Sequence, residues 1–301
     1  MSLAEQLCQI LGNENVKENE PMKKHTTFRV GGPADYFLTP ESEEQVQKTI
    51  SFLKENNVPY YIIGNGSNLL VGDQGYRGAV VQIYQKMNQI RVEDGCVYAQ
   101  AGALLSKIAA EALANELTGF EFASGIPGTL GGALMMNAGA YGGEMKQVVV
   151  EATVLTPAGE IAVISVDEME LGYRSSVFSK NGDIVLSAVL KLAKGNKEAI
   201  RARMDELKEQ RVTKQPLEYP SAGSTFKRPE GYFAGKLIQD AGLRGFQVGG
   251  AQVSEKHCGF VINRDNATAA DIVSLMEQVS EKVEAQFGVR LEPEVKRLGE
   301  F

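Results

Sequence analysis

Two short polar segments carry residues suited to binding anions and moving protons. Ser221–Pro229 combines serines and a glycine with the two cations Lys227 and Arg228. That composition suits a constrained loop that binds an anion and offers a hydroxyl as proton donor. In Gly172–Ser175, Arg174 stands between an aromatic residue and a hydroxyl, where its guanidinium fork could hold a carboxylate. Each segment alone is a weak signal, because surface turns and surface arginines are common.

A third segment, Leu291–Arg297, reads as a strand near the end of the chain. Its alternation predicts that Glu292 and Glu294 share one face, opposite the apolar residues Leu291 and Val295. Two carboxylates placed in this way could carry chemistry. The other interpretation is a solvated strand edge, which this pattern also fits.

The first glycine loop, Gly64–Asn68, directly follows the apolar run Tyr60–Ile63, which predicts a buried strand. Successive backbone N–H groups in such a turn form a concave nest for a pyrophosphate, and small side chains permit its close approach. A tight surface turn explains the same residues, so both interpretations remain open at this point.

The second glycine loop, Gly125–Asn137, lies in a region where eight glycines fall between Gly119 and Gly143. The stretch is almost uncharged, and Leu130, Leu134 and Met135 recur at helical spacing, whereas a solvated linker would be rich in polar residues. We expect a short buried helix flanked by loops that press against a large flat ligand. Tight packing between helices is the alternative.

Composition and missing motifs exclude several classes of protein. The net charge of −7 argues against a nucleic-acid binder, which would show a basic patch. The third glycine of the dinucleotide fingerprint and the Walker A pattern are both absent. Two histidines and three scattered cysteines give no metal spacing. Without a signal sequence or an apolar run of about 20 residues, we expect a cytoplasmic protein with no membrane partner.

The elements around these segments indicate an α+β fold. Ser42 and Thr268 are expected to cap helices, and two hairpins are expected around residues 93–96 and 156–159. Strand pairing in the middle of the chain should be mostly antiparallel. A break at Lys194–Asn196 precedes a long amphipathic helix. We therefore expect domains at residues 1–195, in two lobes divided near residue 70, and at 196–301, whose last strand, 289–301, can return to the first domain.

Taken in order, these segments resemble the UDP-N-acetylenolpyruvoylglucosamine reductase family. The resemblance runs from residue 25 almost to the end, through His25–Pro33, Gly64–Leu70, Ser124–Gly142, Tyr173–Ser175, Ala222–Lys227, Gly231–Gly245 with Gly249–Ala251, and Leu291–Arg297. It implies a two-lobed FAD-binding unit of the vanillyl-alcohol-oxidase type, followed by a separate α+β substrate domain. The short spacing after Arg174 resembles the branch without a tyrosine-bearing insertion.

The resemblance also implies a reaction in peptidoglycan precursor synthesis. NADPH would reduce non-covalent FAD, hydride would pass to C3 of the enolpyruvyl ether of UDP-N-acetylglucosamine, and a proton would be added at C2. Ser224 would be the proton donor, and Arg174 and Glu294 would stabilise the enolate-like intermediate. The substrate would contact Tyr173, Lys227 and Arg244. FAD would contact Gly64, Asn65, Gly66, Ser67, Asn68, Leu69, Gly125, Ile126, Pro127, Gly128, Thr129, Gly131, Gly132, Asn137, Ala138 and Gly139.

Two other functions remain open on the residues alone. One is an FAD-dependent oxidase of the same fold that acts on another substrate, and the other is a nucleotide-sugar binding module without catalysis. The second predicts purified protein without flavin absorbance. We expect a monomer that binds no metal and no nucleic acid.

Overall fold

The computed structural model describes residues 2–301. Its helices are α1 (Leu3–Leu11), α2 (Glu43–Glu55), α3 (Leu105–Ala114), α4 (Leu130–Met135), α5 (Phe178–Asn181), α6 (Lys197–Lys214), α7 (Ala234–Asp240) and α8 (Ala269–Phe287). The predicted caps are confirmed. The Ser42 side chain accepts a hydrogen bond from the backbone of Gln45 at 3.2 Å, and Thr268 forms a full capping box with Asp271. At α2 the box is incomplete, because the Gln45 side chain bonds Glu41 instead.

The strands are short, and most lie where alternation or apolar runs predict them. They are β1 (Val16–Pro21), β2 (Pro33–Leu38), β3 (Tyr60–Ile63), β4 (Leu69–Val71), β5 (Tyr76–Gln82), β6 (Ile90–Glu93), β7 (Cys96–Gln100), β8 (Leu117–Thr118), β9 (Gly139–Ala140), β10 (Gly143–Glu144), β11 (Val149–Leu155), β12 (Ile161–Ser165), β13 (Ile184–Lys191), β14 (Ala193–Lys194), β15 (Gln247–Val248), β16 (Ala251–Val253), β17 (Val261–Asn263) and β18 (Lys296–Leu298).

The chain divides into two compact units, each made from three separate stretches. The first unit comprises residues 1–18, 36–65 and 78–211, and the second comprises 19–35, 66–77 and 212–301. Each unit has its own hydrophobic core. The chain passes between the units at residues 18/19, 35/36, 65/66, 77/78 and 211/212, and the first, second and fourth of these positions lie within β1, β2 and β5. Strands β1, β2, β5 and β3 form a four-stranded sheet in that order.

The first unit contains a five-stranded sheet of order β12-β11-β13-β7-β6. Every pairing in it is antiparallel, as expected for the middle of the chain. Both predicted hairpins are present, since Glu93 pairs with Cys96 and Leu155 pairs with Ile161. Helices α3 and α4 pack against strands of this sheet. The sheet and these helices therefore form the support on which the second glycine loop rests.

The second unit is built around α8, which packs against the antiparallel sheet β15-β16-β17 and against α7. Asp73 accepts hydrogen bonds from the backbone of Ala269 at 2.8 Å and Ala270 at 3.0 Å, two of the N–H groups that open α8. These donors have no acceptor within a helix, so the carboxylate satisfies them. Strand β18 pairs in parallel with β4 within the same unit.

Two features differ from the sequence-based expectation. The break at Lys194–Asn196 does not coincide with the end of the first unit, which extends to Arg211. Helix α6 stays with the first unit because Ile200 is buried and Met204 packs on the core of that unit. The last strand is also shorter than expected, since only Lys296–Leu298 forms regular pairs.

Candidate active site

Within the first unit, the structure brings the start of the first glycine loop, Gly64 and Asn65, next to the second glycine loop. The side-chain amide of Asn65 donates a hydrogen bond to the carbonyl of Pro127 at 2.8 Å. A Cβ atom added to Gly64 would lie 2.1 Å from Oγ1 of Thr129. Glycine is therefore required at position 64 because the second loop approaches it closely. Gly64 and Asn65 are therefore direct neighbours of the second loop.

The rest of the first glycine loop belongs to the second unit, where the backbone is closely packed. Gly66 has a φ of +62°, and a Cβ there would lie 2.0 Å from the carbonyl oxygen of His25. Asn68 donates a hydrogen bond to the carbonyl of Glu294 at 3.3 Å. Leu69 is buried and pairs with Lys296, so its side chain contributes to the core. Ser67, which lies between Gly66 and Asn68, is half-buried.

The second glycine loop is anchored by backbone hydrogen bonds to residues 101–105. The carbonyl of Gly128 accepts from Leu105 at 3.0 Å, and the N–H groups of Leu130 and Gly131 donate to Ala103 and Ala101 at 2.9 Å. These bonds explain why an uncharged, glycine-rich segment is ordered. The loop continues through Ile126 and Thr129 before α4, and through Ala138 and Gly139 after it.

Part of this loop remains open to a ligand. Gly125, Pro127 and Gly132 are exposed, whereas Thr129 and Leu130 beside them are buried. A Cβ added to Gly132 would meet only Oγ1 of Thr129, at an ordinary contact distance of 3.5 Å. Exposed glycine backbone next to the buried apolar residues of α4 fits a large flat aromatic group such as a flavin.

Two further residues have groups that a ligand would satisfy, and both lie outside the predicted set. In the second unit, Thr27 is hydrogen-bonded through its backbone to Gly66 at 3.2 Å. Its side-chain oxygen is buried without a hydrogen-bond partner in residues 2–301. Position 27 belongs to the His25–Pro33 stretch that carried the resemblance. That stretch was the sequence signal, but the oxygen's burial is visible only in the structure.

The other residue is Arg211, near the end of α6. Its Cδ atom would lie 3.1 Å from a Cβ added to Gly125. Within residues 2–301, no carboxylate forms a salt bridge with it. Burial lowers the pKa of Arg211, and the nearby Tyr141 opposes that effect. A half-buried guanidinium beside an exposed glycine loop provides positive charge for a polar or anionic ligand. In the sequence, Arg211 only continues the regular spacing of a helix, so nothing there indicated a role in ligand binding.

Arg174 lies in a tight turn of the first unit, which we call the Arg174 turn (Gly172–Ser175). Gly172 and Ser175 exchange backbone hydrogen bonds at 3.1 and 3.3 Å. Arg174 itself has a φ of +51°, a left-handed conformation that costs about 1–2 kcal/mol for a residue with a Cβ atom. The turn presents Tyr173, which is 59% exposed. Such strain persists only where the surroundings fix the backbone.

Ser224 lies in the second unit, in what we call the serine loop (Ser221–Lys227). Its side chain is exposed, and the preceding Gly223 has a φ of +76° with open space around it. The next residue is fixed: Thr225 donates its N–H to Gly259 at 2.9 Å and accepts at Oγ1 from Val261 at 2.8 Å. An exposed hydroxyl on an anchored backbone can approach a substrate without reorganising.

His257 stabilises the backbone of Gly259, to which the serine loop is hydrogen-bonded. Its Nδ1 accepts a hydrogen bond from the N–H of Gly259 at 3.1 Å, and the carbonyl of Gly259 accepts one from the N–H of Thr225. The ring packs edge-on against Phe260. Burial lowers the pKa of His257, so the neutral ring, which can accept at Nδ1, is favoured.

Glu292 and Glu294 differ in burial, so the alternative interpretation of a solvated strand edge does not hold for Glu294. Glu294 is buried at 9% exposure, whereas Glu292 is exposed and forms an ion pair with Lys227 at 3.0 Å. The reason is a long-range contact, the antiparallel bridge between Phe226 and Pro293. The N–H of Glu294 donates to the carbonyl of Thr225 at 2.8 Å. The second unit thus brings Glu294 next to the residue that follows Ser224.

The cationic candidates for substrate binding have protein partners. Lys227 pairs with Glu292, and Arg244 donates to the carbonyl of Glu255 and to Oε1 of Gln239, the latter at 2.9 Å. Both side chains are at the surface of the second unit, where such bonds exchange readily with a ligand. Across residues 2–301, no cluster of His, Cys, Asp or Glu could hold a metal ion, and no helix could span a membrane.

Comparison with known proteins gives matches along nearly the whole chain. Residues 34–165 match a family described as FAD binding domain, and residues 215–298 match the UDP-N-acetylenolpyruvoylglucosamine reductase C-terminal domain. The UDP-N-acetylenolpyruvoylglucosamine reductase of Agathobacter rectalis is 55% identical over 100% of this chain and 98% of that protein. That of Clostridium tetani is 56% identical, over 98% and 95%. The crystal structure of the Thermus caldophilus reductase has a TM-score of 0.81 at 35% identity, covering 93% of this chain and 97% of the other.

Proposed function

Because the chain belongs to the UDP-N-acetylenolpyruvoylglucosamine reductase family, we propose that it reduces UDP-N-acetylglucosamine enolpyruvate to UDP-N-acetylmuramate, with NADPH as the reductant. The chain is an FAD-dependent oxidoreductase, and its α+β fold combines an FAD-binding region with a separate C-terminal region. The observation that carries the proposal is the identity above 50% along the full length. The product places the enzyme in peptidoglycan precursor synthesis.

We assign FAD binding to the paired glycine loops. Gly64 and Asn65 hold the second loop in place, and the exposed residues Gly125 and Gly132 have no side chain that would keep a ligand from the backbone. Arg211 adds positive charge beside Gly125. Bound FAD supplies the hydride that C3 of the substrate accepts. The protein's part is to orient the reactants and to polarise the substrate.

Arg174 and Glu294 are the residues we assign to stabilising the intermediate. Addition of hydride to C3 leaves negative charge spread from C2 onto the substrate carboxylate. A guanidinium fixed at that carboxylate stabilises the transition state more than the ground state. The left-handed turn fixes the backbone of Arg174, and burial fixes Glu294. Tyr173, Lys227 and Arg244 complete the assignment as contacts to the substrate.

Ser224 is the residue we assign to protonation at C2. Its hydroxyl is a weak acid, but a carbanion at C2 is a strong base, so transfer from O to C is favourable once the two atoms meet. The exposed side chain on an anchored loop suits that role. Positioned proton transfer contributes typically about 10²–10⁴-fold to a rate.

The proposal is tested by following NADPH oxidation at 340 nm, the absorbance band of NADPH, with purified holoprotein. We expect rapid oxidation only when UDP-N-acetylglucosamine enolpyruvate is present, and a product that gains two hydrogens. Equal oxidation without that substrate, with oxygen consumed instead, would identify an oxidase. Protein that purifies without flavin and takes up none would identify a binding module.

The role of Ser224 is tested by separating the two half-reactions without oxygen. In Ser224→Ala, we expect NADPH to reduce the flavin at the wild-type rate, while reoxidation by the substrate slows by about 10²–10⁴-fold. Ser221→Ala is the matched control, since it removes another hydroxyl from the same loop and should leave both rates unchanged. Equal slowing of both half-reactions in Ser224→Ala would show that Ser224 is structural.

A further inference from the structure

Asn137 follows α4 at the end of the second glycine loop, and its side chain is buried, with 2% of its surface exposed. Its backbone has a φ of +44°, in the left-handed region. The resemblance had placed this residue among the contacts to FAD. The hydrogen bonds of its side chain indicate a different role, which rests on the catalytic role proposed for Arg174.

Both polar atoms of the Asn137 side chain form hydrogen bonds with other residues of the first unit. Its Nδ2 donates to Oε2 of Glu144 at 3.1 Å and to the carbonyl of Gly172 at 3.2 Å. Its Oδ1 accepts from the N–H of Lys146 at 2.9 Å. An asparagine amide has two donor hydrogens. Both are therefore engaged, and no donor remains for a cofactor.

One of these bonds reaches the Arg174 turn. Gly172 begins that turn, and its carbonyl accepts both the N–H of Ser175 and the amide of Asn137. Ser176, the residue directly after the turn, forms a second bond: its fully buried hydroxyl donates to the carbonyl of Met135 at 2.7 Å. The turn is thus tied to the end of α4 from both sides.

We propose that Asn137 is a positioning residue that fixes the Arg174 turn, and that it acts on the reaction through Arg174 rather than through FAD. Arg174 is held in a left-handed conformation that its own side chain disfavours. The bond from Asn137 to Gly172 offsets that strain. Asn137 also links the turn to Glu144 and Lys146. One side chain therefore fixes the position of the Arg174 turn relative to the second glycine loop.

Asn137→Gly tests this directly, since glycine accepts the left-handed backbone and removes only the side chain. Asn57→Gly is the matched control: Asn57 also has a positive φ, of +54°, but it is exposed at the end of α2. In the apoprotein, we expect amide hydrogen exchange in the Arg174 turn to accelerate about fivefold in Asn137→Gly, the effect of one lost hydrogen bond of about 1 kcal/mol. Asn57→Gly should leave that exchange unchanged.

The kinetic prediction separates positioning from cofactor binding. In Asn137→Gly, we expect unchanged affinity for FAD and unchanged reduction by NADPH. Reoxidation by the enolpyruvyl substrate should slow by about 10- to 100-fold, the typical effect of a misplaced catalytic group. In an Arg174→Ala background, Asn137→Gly should slow reoxidation no further, because its effect passes through the arginine.

Other outcomes would overturn the inference. A loss of FAD affinity with normal reoxidation at saturating FAD would make Asn137 a cofactor contact. Equal slowing of both half-reactions, or undiminished slowing in the Arg174→Ala background, would remove the link to Arg174. If the wild-type flavin is not reoxidised by the substrate at all, the proposed function fails. The exchange measurement on the apoprotein still tests whether Asn137 holds the turn.

Discussion

The contact between the glycine loops makes a strong prediction for Gly64→Ala. The added methyl group would lie 2.1 Å from Oγ1 of Thr129 and 3.2 Å from its Cβ and Cγ2. Ordinary contacts begin near 3.4 Å, so either the Thr129 side chain must rotate or the loops must move apart. Overpacking of this kind costs typically about 1–3 kcal/mol. If the loops must close again to bind FAD, the affinity should fall by about 5- to 150-fold.

The assay is fluorescence titration of apoprotein with FAD, together with the thermal unfolding midpoint. Thr129→Ala supplies the matched partner, since it removes both Oγ1 and Cγ2. In the double variant Gly64→Ala/Thr129→Ala, we expect most of the affinity lost in Gly64→Ala to return, a coupling of about 1–3 kcal/mol. Unchanged affinity in Gly64→Ala, or losses that simply add in the double variant, would refute the proposal that this loop contact shapes the FAD site.

Three further predictions concern stability. Thr268→Ala should lower the free energy of unfolding of the second unit by about 1 kcal/mol, seen in urea denaturation, because it removes the cap of α8. Gly66→Ala should lower the melting temperature more than the control Gly142→Ala. Both positions have a positive φ, but only Gly66 lies against a backbone oxygen, whereas Gly142 has open space around it. The pKa of His257 is lowered in the folded state, so its neutral form favours folding. That contribution should be complete above the ordinary pKa of about 6.5 and decline as the pH falls towards the folded value. His257→Gln should show a smaller decline in denaturation measured against pH, and an unchanged decline would contradict this account.

Local patterns predicted much of the secondary structure. The cap at Thr268, the cap at Ser42 and both hairpins depend on residues within a few positions of each other. The short helix inside the second glycine loop was also predicted from its apolar spacing. The α+β fold class and the FAD-binding function are confirmed by the comparisons.

Long-range contacts account for what the sequence did not reveal. Glu294 is buried because Pro293 pairs with Phe226, which lies far away in the chain. The first unit extends to Arg211 because α6 packs on its core, which a composition break cannot indicate. The left-handed backbone of Arg174 and the bonds of Asn137 depend on tertiary neighbours. The roles assigned to individual site residues remain predictions.

The central claim is that this chain's reduced flavin passes its hydride to the enolpyruvyl ether. The most direct measurement is a single turnover without oxygen. The enzyme-bound FAD is reduced with one equivalent of NADPH, UDP-N-acetylglucosamine enolpyruvate is then added, and the visible flavin absorbance is followed. We expect the absorbance of oxidised flavin to return as one equivalent of UDP-N-acetylmuramate forms. Flavin that stays reduced with this substrate, yet is reoxidised when air is admitted, would contradict the account.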